Sequence, residues 1–273
     1  MPGYHGFSMG RYPFLISVPH GGTIVPEPVA AMVALSPADL RYYSDPSTRL
    51  VYSFRGRVAQ YRDTGVSRMI VDLNRPPYHL PPKHPDGVVK VRTVHETPVY
   101  RGGITPEITL IHQLLMTHYF PYHADLDRLL DPGKIAIAFD CHSMFPTGPP
   151  THRDAGQVRP LVCLGNNGDS EGNRRPGSLS TCPAEWIRAL AGAFREELGP
   201  GAEVAINKPF SGGFITNAHY WHRGIPWIQI ELSRALYEAG SDSPATARAD
   251  ADRAHETGDH VWDAITRFWD GRD

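Results

Sequence analysis

Short apolar runs rich in β-branched residues alternate along the chain with longer stretches of helical spacing. Phe14–Val18 reads as a buried strand closed by Pro19. Pro37–Tyr43 reads as a short helix. Over 47–60 the apolar positions Leu50, Val51, Phe54 and Val58 make a helical stripe. Ser67–Leu73 is expected to be a second strand, and the proline-rich stretch Asn74–Pro106 a long loop of the kind that usually carries function. Glu107–Leu130 has the spacing of a long helix, with a kink expected near Pro121. Strands are then expected at Lys134–Phe139, Leu161–Leu164 and Trp227–Glu231, with shorter ones at Glu203–Ile206 and Gly213–Thr216. Helices are expected at Pro183–Leu198 and Ala245–Trp269. Such alternation implies an α/β fold, a mainly parallel sheet covered on both faces. One domain over 1–273 is the expectation.

The polar residues that break this pattern sit where the strands stop. The first strand runs into His20-Gly21-Gly22, the second into Asn74-Arg75, the third into Asp140-Cys141-His142-Ser143, and the last into Glu231. Ligands of open α/β sheets bind outside the carboxyl ends of the strands, so four such endings predict one pocket. His20 is either a metal ligand or a hydrogen-bonded turn histidine. Asp140 and His142, two apart, share one side of an extended segment, the arrangement of an imidazole backed by a carboxylate. Asp140 as a simple loop cap is the plainer alternative. Cys141 faces the other way, into packing. Arg75 suits planar capture of a carboxylate, against the alternative of a surface ion pair. Asp72 either orients a neighbour or pairs with Arg75. Burial of Glu231 would raise its pKa toward that of a general base, unless it pairs with Arg234. Gly212-Gly213 is a turn that lets backbone approach a ligand.

Composition narrows the reading. Lys+Arg number 27 and Asp+Glu 29, for a net charge of −2, which argues against nucleic-acid or anionic-membrane partners. The three cysteines include no CxxC pair, so neither a disulfide framework nor a cysteine zinc site is expected. No apolar run reaches membrane-spanning length, and the N-terminal segment lacks the pattern of a leader, so a cytoplasmic protein is expected. The 26 glycines and 26 prolines concentrate in the loops after the strand ends, as walls of a pocket would.

Seven ordered blocks carry a resemblance to a known family. They are PHGG (Pro19–Gly22), VDLNRPP (Val71–Pro77), PVYRGG (Pro98–Gly103), FDCHS (Phe139–Ser143), LGNNGD (Leu164–Asp169), FSGGFIT (Phe210–Thr216) and IQIEL (Ile228–Leu232). In this order they resemble the N-formylglutamate amidohydrolase family. The resemblance implies a three-layer αβα fold with a mixed, mainly parallel sheet, like that of zinc carboxypeptidases and aspartoacylases. It implies one Zn2+ per chain, with His20 and His142 as ligands, Asn74-Arg75 as the carboxylate-binding pair and Glu231 as general base. Where the carboxypeptidase-like pattern has a glutamate three residues after the first histidine, this chain has Thr23. Asp45, matching an acidic position in the family, is then the expected third ligand, with Glu27 next. Arg101 is the second choice after Arg75 for the substrate carboxylate, and Gly212 and Gly213 are expected to contact substrate. The implied reaction is hydrolysis of N-formyl-L-glutamate to formate and L-glutamate, as in histidine breakdown. The alternatives are a zinc hydrolase acting on another N-acyl amino acid or on a peptide or γ-glutamyl bond, and a metal-free carboxylate-binding relative.

Overall fold

The computed structural model describes residues 11–240 and 243–272. Most of the N-terminal segment read above for a leader lies outside them. Six strands form one sheet: β1 (Tyr12–Val18), β2 (Val58–Asp63), β3 (Ile137–Met144), β4 (Val162–Gly165), β5 (Val204–Ile206) and β6 (Trp227–Ser233). Their order is β2-β1-β3-β6-β4-β5. β2, β1, β3 and β6 are mutually parallel, whereas β4 runs antiparallel to β6 and parallel to β5. The sheet is thus mixed and mainly parallel, with helices on both faces, as expected.

Strict alternation along the central strands sends each residue to one of two cores. Phe14, Ile16, Phe139, Cys141, Ile228 and Ile230 join the core on one face. That face is covered by α3 (Thr48–Val51), α6 (Ala184–Leu198) and α8 (Ala251–Asp270). Leu15, Ala138 and Trp227 point to the other core, with Met69, Ile70 and Val71. Over that face lie α4 (Ile108–Leu114), α5 (Phe120–Leu129) and α7 (Phe214–Arg223). The short helices α1 (Glu27–Ala30) and α2 (Pro37–Tyr43) precede α3. A small hairpin, β7 (Glu238–Ala239) with β8 (Arg248–Ala249), precedes α8, which Asp250 caps through the backbone N–H groups of Asp252 and Arg253.

Three expectations are corrected. The stripe over 47–60 is not one helix: α3 ends at Val51, the chain turns around Gly56, and the rest is edge strand β2. Val51, Phe54 and Val58 all reach the same core, so their spacing is satisfied without a continuous helix. Ser67–Leu73 is not a strand. After a bridge to Gly22 it folds into a helical turn, with Ile70 and Val71 N–H groups on the Ser67 carbonyl, which brings Arg68 and Asp72 together at i, i+4. Gly213–Thr216 is the start of α7, where Gly213 N–H meets Thr216 Oγ1 at 3.2 Å. The long helix is irregular next to Pro121. Its disturbance is a π turn over Leu115–Tyr119, placed just before the proline that cannot donate a helical hydrogen bond.

Candidate active site

Register sets the site's floor. Ser17 of β1, Asp140 of β3 and Gln229 of β6 lie in one row across the sheet, and His142 pairs with Glu231 one step further along. All four polar positions on β3 and β6 project from the same face, the one away from Cys141 and Ile230. Just beyond β1, His20 arrives on the turn Pro19–Gly22. Gly22 fits there because a Cβ would lie 2.3 Å from the backbone of Gly65.

Asp45, on the turn between α2 and α3, completes a cluster with the two histidines. Its backbone N–H bonds the His20 carbonyl at 3.1 Å, and its Oδ2 accepts from Ser143 N–H at 3.1 Å. His20, Asp45 and His142 are all buried and bring one potential ligand atom each within 4.8 Å of one another. The two Nδ1 atoms face each other at 3.0 Å, and Asp45 Oδ2 lies 3.2 Å from His142 Nδ1 and 3.6 Å from His20 Nδ1.

Each imidazole is held from behind. His20 Nε2 meets Asp72 Oδ1 at 2.7 Å, and His142 Nε2 meets Asp140 Oδ2 at 2.8 Å. A carboxylate only accepts, so both Nε2 atoms carry the hydrogen and both Nδ1 lone pairs turn toward Asp45. Three acceptors then converge on one point, an arrangement that requires a positive charge between them. In the chain alone that charge is a proton. Burial pushes His142 down, but Asp140 and Asp45 outweigh it and hold the imidazole well above its usual range. Burial likewise opposes ionisation of Asp45, yet Arg68 and the two histidines keep it well below the usual carboxylate range.

Further groups tie the carboxylates down. Arg68 forks between Asp45 and Asp72, at 3.0 Å to each. Lys90 Nζ bonds Asp72 at 2.9 Å and also Asp86. Asn74 Nδ2 donates to Asp140 at 3.1 Å while its Oδ1 accepts from Ile215 N–H at 2.8 Å. Glu231, beside His142, is 8 % exposed. Burial, reinforced by Asp45 and only partly offset by His142, raises its pKa to about 7. Arg234 does not bond it; its guanidinium donates instead to the Tyr42 and Ser44 carbonyls.

Above the cluster opens a cleft whose walls include Arg75, Asp86, Lys90, His152, Arg159, Phe210, Gly212 and Gly213. Arg75 donates to Asp86 Oδ2 at 2.8 Å and to the Asp86 carbonyl at 3.0 Å, while its Nη1 makes only a 3.4 Å contact with the Asn74 carbonyl. The structure therefore brings together His20, Asp45, Asn74, Arg75, His142, Gly212, Gly213 and Glu231. It does not bring in Arg101, which is exposed on a 3₁₀ turn and lines no part of the cleft, nor Glu27, exposed at the start of α1. Arg68, Lys90, Gln229 and Arg159 were absent from the sequence-based candidates. Only Arg68 left a signal, its even spacing from Asp72.

A mixed three-layer α/β fold, with two imidazoles and a carboxylate converging under a cleft at its strand ends, defines a protein with a candidate metal centre. A family model described as N-formylglutamate amidohydrolase matches residues 12–238. The chain belongs to the N-formylglutamate amidohydrolase family. It is 29% identical over 261 residues to an N-formylglutamate deformylase of Pseudomonas aeruginosa, covering 89% of this chain and 88% of that one. Its identity to the N-formylglutamate deformylase of Pseudomonas putida is 28% over 256 residues, with the same coverage of 89% and 88%. In fold it is similar to the crystal structure of an N-formylglutamate amidohydrolase from Ralstonia eutropha, with a TM-score of 0.71, 19% identity and coverage of 95% and 94%. It is also similar to a gene product of Agrobacterium tumefaciens, with a TM-score of 0.63, 17% identity and coverage of 93% and 89%. Among the described residues no helix is long and apolar enough to cross a membrane.

Proposed function

We propose that this chain is a metal-dependent amidohydrolase that splits N-formyl-L-glutamate into formate and L-glutamate. The observation that carries this reading is the convergence of His20 Nδ1, His142 Nδ1 and Asp45 Oδ2 beside Glu231, in a member of this family. Two imidazole nitrogens and a carboxylate oxygen are a donor set suited to zinc, and their hydrogen-bonded backs leave the lone pairs free for it. When bound, such an ion supplies a Lewis acid that polarises the scissile carbonyl and makes water more acidic.

The chain's own residues do the rest. Glu231 takes a proton from the attacking water and returns one to the nitrogen as the C–N bond breaks. A carboxyl poised near neutrality serves both transfers. Arg75, at the rim, offers its Nη1 edge to a carboxylate of the substrate while Asp86 holds the rest of the guanidinium. Asn74 steadies Asp140, and through it His142.

The test is release of the free amino acid from a panel of N-formyl and N-acetyl amino acids, with and without a chelator. N-formyl-L-glutamate should be the preferred substrate, and the chelator should abolish turnover. Activity on another member of the panel but not on N-formyl-L-glutamate would remove the substrate. Full activity after exhaustive chelation would remove the metal. His142→Ala should purify with far less than one zinc per chain, whereas Glu231→Gln should keep its zinc and lose about 100-fold or more in kcat.

A further inference from the structure

Gln229 is the one cleft-lining amide on the central strand that carries Glu231. It is two residues before Glu231 on β6, so the two side chains share a face. It lies in register with Asp140 on one side and Gly165 on the other. The space a side chain at Gly165 would fill is taken by the backbone of Ser211 and Gly212. Gln229 Nε2 donates to Glu231 Oε1 at 2.8 Å. When Glu231 is ionised its carboxylate accepts, so the amide presents its NH2 there and its carbonyl end on the other side.

That carbonyl is the anomaly. Gln229 is 3 % exposed and lines the cleft, yet its Oε1 has no hydrogen-bond partner among the described residues. A buried amide oxygen without a donor is rare and costly. The neighbours in its row do not supply one: Asp140 is an acceptor and Gly165 has no side chain. A donor carried by a ligand would complete it. On the reading proposed above, the substrate carries one such donor next to the reacting carbon, the N–H of the scissile amide. The product carries its successor, the ammonium of the released amino acid.

We infer that Gln229 reads the scissile nitrogen: its Oε1 accepts the substrate N–H while its Nε2 holds Glu231 in position. One amide group thus fixes both the base and the nitrogen to which that base returns a proton. The consequence is a preference for amides bearing a hydrogen on nitrogen over isosteric esters. Gln229 is a specificity-determining residue through Oε1 and a positioning residue through Nε2.

The inference rests on the amidohydrolase reading, and its test keeps the two apart. Wild-type protein and Gln229→Met are assayed on N-formyl-L-glutamate and on the formyl ester of L-2-hydroxyglutarate, which lacks the N–H, with spontaneous ester hydrolysis subtracted. Loss of the hold on Glu231 lowers kcat/KM for both substrates. Loss of the N–H acceptor lowers it for the amide alone. The expected result is a fall of about 100-fold for the amide and about 10-fold for the ester, so the amide-to-ester ratio drops about tenfold. Gln229→Asn, which keeps the amide but is too short to reach both partners, should shift the ratio the same way and guards against a misfolded Met variant. Equal losses on both substrates would overturn the N–H role, since a purely structural defect does not distinguish NH from O. Wild-type protein inactive on every N-acyl amino acid of the panel would instead overturn the amidohydrolase reading, and this inference with it.

Discussion

Asp72 Oδ1 sits 2.7 Å from His20 Nε2, and the same carboxylate's other oxygen takes 2.9–3.0 Å bonds from Lys90 and Arg68. One buried group thereby sets the tautomer of a candidate ligand and anchors two cations of the cleft wall. Asp72→Asn keeps the shape and removes the charge. Zinc affinity is expected to fall about tenfold or more, because the carboxylate behind a ligating imidazole raises its basicity. Stability is expected to fall by about 1–3 kcal/mol, because Arg68 and Lys90 each lose a charged acceptor. Chelator competition and urea unfolding measure the two effects. A variant with unchanged zinc affinity would show that Asp72 only packs.

Gly213 makes a second such relationship, with Asn74. A Cβ on Gly213 would lie 2.2 Å from Asn74 Nδ2, so the Asn74 amide occupies the space a side chain would fill. That amide bridges Asp140 to the first turn of α7. Gly213→Ala should displace it, costing about 1–3 kcal/mol of stability and lowering kcat through the loosened Asp140–His142 pair. Gly56→Ala, at a glycine with open space around it, should stay within about 0.5 kcal/mol of wild type. Thermal melts and kcat for both variants check the contrast. Equal behaviour of the two would discount the packing argument.

The strand-end chemistry is legible in the sequence. His20 follows β1, and His142 and Glu231 interrupt apolar runs near the C-terminal ends of the parallel strands β3 and β6, where register brings them together. Asp45 is reached only through family resemblance, because it lies on a turn between two short helices where no periodicity marks it. Lys90 escapes a sequence reading because its bond to Asp72 spans a loop with irregular backbone, and Arg68 is obscured because 67–73 reads as a strand, which hides its i, i+4 relation to Asp72. The proline-rich stretch that holds Lys90 and Asp86 has no repeating pattern from which a contact can be read. Edge strand β2 is hidden for a related reason: Val51, Phe54 and Val58 satisfy one core from two different elements. Arg101 is drawn in by its PVYRGG block, yet its backbone N–H ties it to Met32 and leaves its side chain outside the cleft.

Glu231 should leave a mark on the pH dependence of stability in the metal-free protein. Its folded-state pKa is about 7 against an ordinary 4.5. For a raised acid, the stabilising contribution is complete below the unfolded pKa and is lost as pH rises through the folded one. Wild type should therefore lose stability relative to Glu231→Gln between about pH 4.5 and pH 7, by on the order of 3 kcal/mol in all. The depressed carboxylates Asp45 and Asp72 act oppositely, at the acid end, and are common to both proteins. Urea unfolding of both proteins in chelator, from pH 4 to 8, reads the difference. A difference independent of pH would show that Glu231 is not held in its neutral form.

Arg75 is held by Asp86, and Asp86 is itself held: burial works against its charge, but Lys90 and Arg75 keep it well below the usual carboxylate range. The pair therefore stays ionised across the working pH range, and Arg75 remains a fixed fork at the rim of the cleft. Arg75→Lys keeps the charge but loses the planar fork, so a lysine that bonds Asp86 has no second edge for a substrate carboxylate. KM for N-formyl-L-glutamate should rise about tenfold or more, with kcat within about threefold of wild type, the pattern of a contact made equally in ground and transition states. The rise should disappear for an amide analogue of the substrate in which the recognised carboxylate is neutralised. A fall in kcat with KM unchanged would place Arg75 at the reacting carbonyl instead of at the carboxylate.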